Sequence, residues 1–400
     1  MRHLSPLAVD PPVSTQAHPR PWLVLGGCFL VSTGFNAYLF APASVVPLLV
    51  AEFGIDKPTA GLAISATFLA WVLLQLPGGF LMDRYDNRLL VWAGAALLFA
   101  MAVAGVLAPD YPTFLLSRFG AGGAAVFLWT TNANVVDRSF PVAKRAVGTG
   151  LFIASAPAGV TLAQFAGPHV AAAFGWRATL LAYPAVTAVG LPAFYLLLSE
   201  PVRNESRLEL RGFLAALRNR TVLLVSASSF CAYSLFVFFN AWMPTYATDV
   251  VSLDLATAGA MTALVPAMGL LARPGGGWLS DRIGGRRRPV LVGTFLLVLP
   301  ALLAVTSVSS VVGFAAVLVL AGLGSQLGTG VFYVYVGELS AEATRGTGLA
   351  VLTTLSIAGS LIAPVLMGWL VERFSWDAAF GFGALLAVVG IVSVLLVSEG

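Results

Sequence analysis

Runs of about 20 apolar residues, each closed by a short charged or Pro/Gly turn, follow one another along most of the chain. Wound as an α-helix, such a run matches a hydrocarbon core roughly 30 Å thick. The pattern predicts twelve membrane-spanning helices, starting near Trp22, Thr59, Leu89, Thr113, Ala146, Ala178, Val222, Leu255, Pro289, Val311, Gly346 and Ala378. Between the sixth and seventh lies one long polar connection, Ser199 to Thr221, with five Arg and three Glu. Its Arg207-Leu-Glu-Leu-Arg211 stretch fits either a short interfacial helix or a solvated linker. The expected organisation is a tail at 1–20, a six-helix bundle at 21–198, a linker at 199–221, a second bundle at 222–397 and a short terminus at 398–400. The fold class is thus an all-α polytopic membrane protein. The first span, about 28 residues, exceeds a signal-peptide apolar region and reads as an uncleaved helix.

Composition agrees. Of 400 residues, 58% are apolar and 10% charged, and mean hydropathy is +0.89, too little polar surface for a soluble two-domain protein. With the N-terminus inside, 17 of the 22 Lys and Arg fall on the cytoplasmic side and only Lys57, Arg177 and Arg373 face out. Positive-inside asymmetry therefore predicts cytoplasmic termini in a multi-pass protein of the cell membrane. The net charge of +4 is then a topology signal rather than a nucleic-acid patch. Cys28 and Cys231 lie inside apolar spans and read as packing residues, so no disulfide framework, metal cluster or cofactor is expected.

The chain repeats itself. Gly79-Phe-Leu-Met-Asp83-Arg84-Tyr-Asp86-Asn-Arg88 returns 198 positions later as Gly277-Trp-Leu-Ser-Asp281-Arg282-Ile-Gly284-Gly-Arg286. Gly148-Thr-Gly-Leu151 returns as Gly346-Thr-Gly-Leu349, and Phe174-Gly-Trp176 as Phe374-Ser-Trp376. Six helices used twice share topology, which relates the halves by an axis along the membrane normal. The twin motif resembles the signature of the major facilitator superfamily, and Arg118-Phe-Gly-Ala-Gly122 resembles that superfamily's second motif. The first copy departs from the pattern at Asp86 and Asn87. The resemblance implies a fold of two pseudo-symmetric six-helix bundles and a secondary transporter.

Glycine admits a close neighbour, so Asp83 and Asp281 are expected to reach the Gly-Thr-Gly starts of spans eleven and five, crossing between the halves. With Gly79, Arg84, Arg88, Gly277, Arg282 and Arg286 they would form a cytoplasmic gate; solvated loop acids are the plain alternative.

Polar residues mark the pathway, because an intramembrane polar side chain is costly unless it faces protein or water. Spans three, nine and twelve are almost purely apolar, span six nearly so, and all four should face lipid. Asn36, Gln75, Asn132, Tyr233, Asn240, Gln326 and Tyr333 stand on spans that should surround the cavity. Arg273 lies about 12 Å up span eight from Asp281. All 18 Asp and Glu fall in loops, termini or span ends, so a paired carboxylate is lacking and an anionic substrate is the favoured reading. A snorkelling guanidinium is the other. The segment Leu271-Ala-Arg273-Pro-Gly-Gly-Gly277 also resembles span eight of the nitrate/nitrite porter family, which implies an anion-binding role for Arg273. That family has a second Arg where this chain has Gln75, so a small monovalent anion fits while nitrate itself is left open.

Arg118 fits a structural role on helix-end carbonyls or a coupling role. His169 could carry a proton or simply pack. Ala163-Gln-Phe-Ala-Gly-Pro-His169 is similar to the span-five motif of drug antiporters, with Ala at several Gly positions. No nucleophile, carboxylate pair or Walker stretch suggests an enzyme or an ATP-driven pump. The expected partners are a small-molecule substrate, a proton or counter-anion as coupling ion, and the lipid bilayer around a monomer. A proton-coupled drug or metabolite efflux permease is the competing function.

Overall fold

The computed structural model describes residues 18–198, 217–308, 310–340 and 344–397. The side chains at 76, 80, 83, 142 and 146 are outside that description, and with them the expectation for the Asp83 carboxylate. Most of the linker and the N-terminal tail also lie outside it.

Among the described residues, twelve long helical spans alternate in direction. Span one runs Pro21–Phe53 with a 3-10 turn at Ala41–Val45, span two Lys57–Arg84, span three Asn87–Val106 and span four Tyr111–Ser139. Span five is Val142–Ile153 and Ser155–Phe174, broken at Ala154, and span six is Trp176–Leu197. The second half repeats this with Arg220–Asp249, Leu255–Arg282, Arg287–Ala304, Val311–Leu339, Arg345–Arg373 and Trp376–Leu395 as spans seven to twelve.

Eleven of the twelve are long and apolar enough by composition alone to cross a membrane. Span four falls short because Arg118, Asn132, Asn134, Asp137 and Arg138 dilute it, yet it packs between spans two and three as a continuous helix. Packing, not hydropathy, holds it in place.

Burial sorts the helices by position. In their most apolar stretch, spans three, six, nine and twelve are each 39% buried, the lowest values, against 41–44% for spans two, five, eight and eleven, 50% for span ten, 72% for span seven and 78% for span one. The four apolar spans therefore form the periphery, with Leu89, Phe99, Leu296, Leu303, Val388 and Val392 turned outward. Between the halves, span two packs on span eleven, and span five on span eight.

Alternation puts Arg20, Arg84, Arg88, Arg138, Arg145, Arg282, Arg286 and Arg345 at one end of the bundle, the arginine-rich end. Lys57, Arg177 and Arg373 stand at the opposite end. There Asp56, Asp110 and Asp254 cap spans two, four and eight by accepting from the backbone N–H groups of Thr59, Thr113 and Thr257. Two of these caps belong to a further repeat, Asp56-Lys-Pro-Thr-Ala-Gly61 and Asp254-Leu-Ala-Thr-Ala-Gly259, again 198 apart.

Hydrogen bonds from Thr59 hold the Asp56 carboxyl below the usual carboxylate range. A depressed folded pKa means that the cap's contribution is present at neutral pH and disappears only as pH falls through that lowered value. Asp56→Ala should lower stability by about 1 kcal/mol, the usual worth of a cap, reduced by solvent at this exposed site. Thermal unfolding in detergent should show this loss at neutral pH, and it should shrink in strong acid.

Candidate functional site

Span eight carries Arg273 into the interior beside span ten. A Cβ at Gly269 would overlap the Gln326 side chain, and one at Gly276 the Leu327 carbonyl. Glycine at both places lets the two spans touch. Gln326 is thereby fixed: its amide nitrogen donates to Val265 O at 3.0 Å and to Pro266 O at 3.4 Å. Its Oε1 accepts from Arg273 Nε at 3.2 Å.

The other contact of the guanidinium crosses between the halves. Arg273 Nη1 donates to Ile153 O of span five at 3.4 Å. Four residues on stands Pro157, which has no N–H to give that carbonyl. The guanidinium carbon also lies 5.9 Å from the Phe236 ring centre, within cation–π range. Tyr233 and Tyr333 interact with each other and lie in the field of Arg273. Among the described residues no carboxylate pairs with Arg273, so it presents unspent N–H donors and a positive charge at a half-buried position.

The first half contributes neutral polar groups. Asn36 Nδ2 donates to Ser32 O at 2.8 Å, and Asn132 Nδ2 lies 3.4 Å from Ser32 Oγ. The buried Asn132 Oδ1, Thr33 Oγ1 and Ser155 Oγ have no protein partner. Gln75 is half-buried on span two and is not among the hydrogen-bond partners of Arg273.

Asn240 belongs elsewhere. Its side chain bonds Phe236 O of its own helix at 2.7 Å, while its carbonyl accepts from Gln164 Nε2 at 2.6 Å across the halves. That bond is part of a seal near the opposite end. Ser65 Oγ donates to Leu361 O at 2.6 Å, Trp242 Nε1 to Pro364 O at 2.9 Å, and Lys57 pairs with Asp249 at 3.0 Å. The first and last of these also join the halves. The duplicated glycines permit the closure: a Cβ at Gly61 would sit 2.7 Å from Pro364 O, and one at Gly259 2.5 Å from Gln164 O.

Among the described residues, no hydrogen bond or ion pair joins the halves at the arginine-rich end. Gly79, Gly150, Gly277 and Gly346 have nothing within 4 Å of an added Cβ. Asp281, with a 73% exposed side chain, pairs with Arg287 at 2.7 Å, and Arg287 with Glu338 at 2.9 Å, all in the second half. Arg282 lies over Trp278, while the Arg286 carbonyl accepts from Ser280 Oγ. In the first half Asp86 holds Arg88 at 2.7 Å, and Arg88 also donates to Leu198 O at 2.7 Å. Arg84 makes contacts of its own. In this conformation, then, Asp281 is engaged within its own half rather than at the start of span five. A cavity of about 370 Å³, lined by Tyr333, Gly337, Glu338, Arg345 and Leu349, lies at this end. Tyr333 belongs both to it and to the Arg273 cluster.

Arg118 is fully buried on backbone. It donates to Ala63 O at 3.1 Å, Tyr38 O at 3.1 Å and Leu39 O at 2.7 Å, with its guanidinium 4.5 Å from the Tyr38 ring centre. Tyr38 O also accepts from the Ala41 N–H, while Pro42, four residues on, has no N–H to give it. These contacts are those of a structural arginine. His169 is turned outward: it is exposed, its Nδ1 bonds Phe165 O of the same helix at 2.8 Å, and it has no place in the Arg273 cluster.

Sequence reasoning placed Gln326 on the pathway but did not join it to Arg273, and it missed Ile153. A proline four residues after a carbonyl was the available signal.

Two six-helix halves, sealed at one end around a polar interior, define a secondary transporter. The chain belongs to the Major Facilitator Superfamily, whose sequence model matches residues 26–312 and 253–399. Its relatives include the nitrite extrusion protein of Bacillus subtilis, 24% identical over 91% of this chain and 90% of that protein. A probable nitrate/nitrite antiporter of Thermus thermophilus, NarK1, is 30% identical over 67% of this chain and 62% of that protein. The 3-(3-hydroxy-phenyl)propionate transporter of Escherichia coli is 26% identical over 87% of both chains. Crystal structures of a bacterial homolog of the human lysosomal transporter Spinster, unoccupied and occupied, share the fold with TM-scores of 0.74 and 0.76. Each is 16% identical and covers 96% of this chain and 95% of that one.

Proposed function

We propose that this protein moves a small monovalent anion across the cell membrane by alternating access, with Arg273 as the charged ligand. The observation that carries the reading is a half-buried guanidinium with no carboxylate partner among the described residues, set between the halves beside Tyr233 and Tyr333. Asn36, Asn132 and Gln75 complete the site as neutral hydrogen-bonding groups. A single positive charge matches a single negative one, since a second would be left unbalanced in a low-dielectric interior. The named relatives support the same class, because nitrate, nitrite and an arylpropionate each carry one negative charge at neutral pH. The arginine-rich end is cytoplasmic by the positive-inside rule, so the conformation is open inward. The protein works as a monomer, and a proton or counter-anion supplies the coupling.

Purified protein in liposomes should accumulate at least one of nitrate, nitrite, formate, cyanate or phenylpropionate, and Arg273→Gln should abolish that uptake. Uptake of a cationic dye with no anion transport would favour the drug-efflux reading and sink this one.

When the cytoplasmic end closes, Asp281 exchanges Arg287 for the Gly148-Thr-Gly start of span five. Asp281→Asn should slow transport about tenfold, the loss of roughly 1.4 kcal/mol at the closing step, with anion affinity unchanged. Wild-type velocity in that variant would remove the gate from the mechanism.

A further inference from the structure

We infer that the Ile153 carbonyl is a resident competitor for the anion, and that Pro157 and Gln326 are the residues that position Arg273 to be contested. This rests on the anion-site reading of Arg273 and adds a coupling step to it. Three observations converge. Arg273 Nη1 donates to Ile153 O, the one hydrogen bond from this cluster that joins span eight to span five across the halves. Ile153 O is available because Pro157 brings no N–H to the turn above it. Gln326, tied to Val265 O and Pro266 O, holds Nε from the other side and fixes the direction in which the guanidinium points.

The bond to Ile153 is long, at 3.4 Å, and its acceptor is neutral. An anion is the stronger acceptor for the same donor. Binding therefore removes a tie between the halves. An empty transporter keeps spans five and eight joined at mid-depth, and an occupied one releases them, so occupancy and rearrangement are linked through one donor. A ligand shifts a conformational equilibrium only through differential contacts of this kind.

Restoring the missing N–H tests the idea. Pro157→Ala supplies a backbone donor to Ile153 O without touching Arg273, and alanine is the better helix former. Titration of the purified protein with nitrate and with formate should show the variant binding about 3- to 10-fold tighter than wild type, since the anion no longer displaces a partner. Pro157→Gly restores the N–H in a looser helix and should tighten binding as well, which separates the hydrogen bond from the bend. Gln326→Leu keeps the volume, removes the positioning contact and should weaken binding.

A readout without anion accompanies these titrations. Nitroxides at Val147→Cys on span five and Ile283→Cys just past the end of span eight, both exposed positions, report the separation of the halves by electron–electron resonance. Pro157→Ala should redistribute those distances in the ligand-free protein. No tightening for either anion, or a distance distribution that superimposes on wild type, overturns the inference. If Arg273→Gln itself binds nitrate and formate as wild type does, the anion site is what fails, and the coupling falls with it.

Discussion

Replacing Arg273 by glutamine should lower the initial rate of anion uptake by at least about 100-fold, while the protein still folds and inserts. The size follows from what is removed. A hydrogen bond to a charged group contributes about 1.5–3 kcal/mol, and a small anion on a guanidinium takes two, so at least about 3 kcal/mol is at stake. That is a factor of about 100 or more in binding. Glutamine keeps a donor toward Gln326 and fits the space, which separates loss of charge from loss of packing. Arg273→Lys keeps the charge but loses the fork that reaches Gln326 and Ile153 together, and should retain only a minor part of the activity. Uptake into liposomes and titration of the purified variants check both values. Unchanged transport in Arg273→Gln would end the case for an anion held here.

The second large effect falls on stability. Arg118→Leu should destabilise the first half by roughly 2–4 kcal/mol, as a hydrogen bond from a charged donor contributes about 1.5–3 kcal/mol. Three carbonyls accept from this side chain: Tyr38 O, Leu39 O and Ala63 O. The sum is reduced because desolvating the guanidinium itself is costly, and removing it returns that penalty. Lysine should rescue poorly, since one ammonium cannot serve span one and span two at once. A clear fall in the melting temperature in detergent, with transport per folded molecule retained, fits a structural arginine. Normal melting with lost coupling would reverse that assignment.

The architecture was legible in the sequence because its signals are local. Apolar run length located the spans, and the duplicated Gly-x-Leu-x-Asp-Arg stretch marked the two halves. The poverty of polar residues in spans three, six, nine and twelve marked the periphery, because lipid tolerates nothing else there. Span four was found by its place in the series even though its hydropathy falls short.

The candidate site was legible only in its residue types. Arg273 stood out as an unpaired charge, but its neighbours come from spans five, seven and ten, and nothing in span eight names them. Arg118 kept two readings open until its backbone acceptors were visible, as those carbonyls lie on other helices. The direction of Asp281 depends on which end is closed, a property of the conformation and not of the motif. The Asp-x-x-Thr-Ala-Gly repeat was available in the sequence and went unread, its meaning resting on glycines that touch the other half.

That repeat makes the two ends of the transporter answer to different variables. Closure at Gly61 and Gly259 is mostly backbone against backbone, short-ranged and neutral, with Lys57 and Asp249 as its only ion pair among the described residues. The arginine-rich end is organised by charges, the exposed Asp281 and Glu338 around the more sheltered Arg287, and salt screens exposed charges over about 8–10 Å. Ionic strength and anionic lipid should therefore act on one side of the cycle and leave the other nearly untouched. The membrane's own surface charge then becomes a setting on how long the protein waits open at its arginine-rich end.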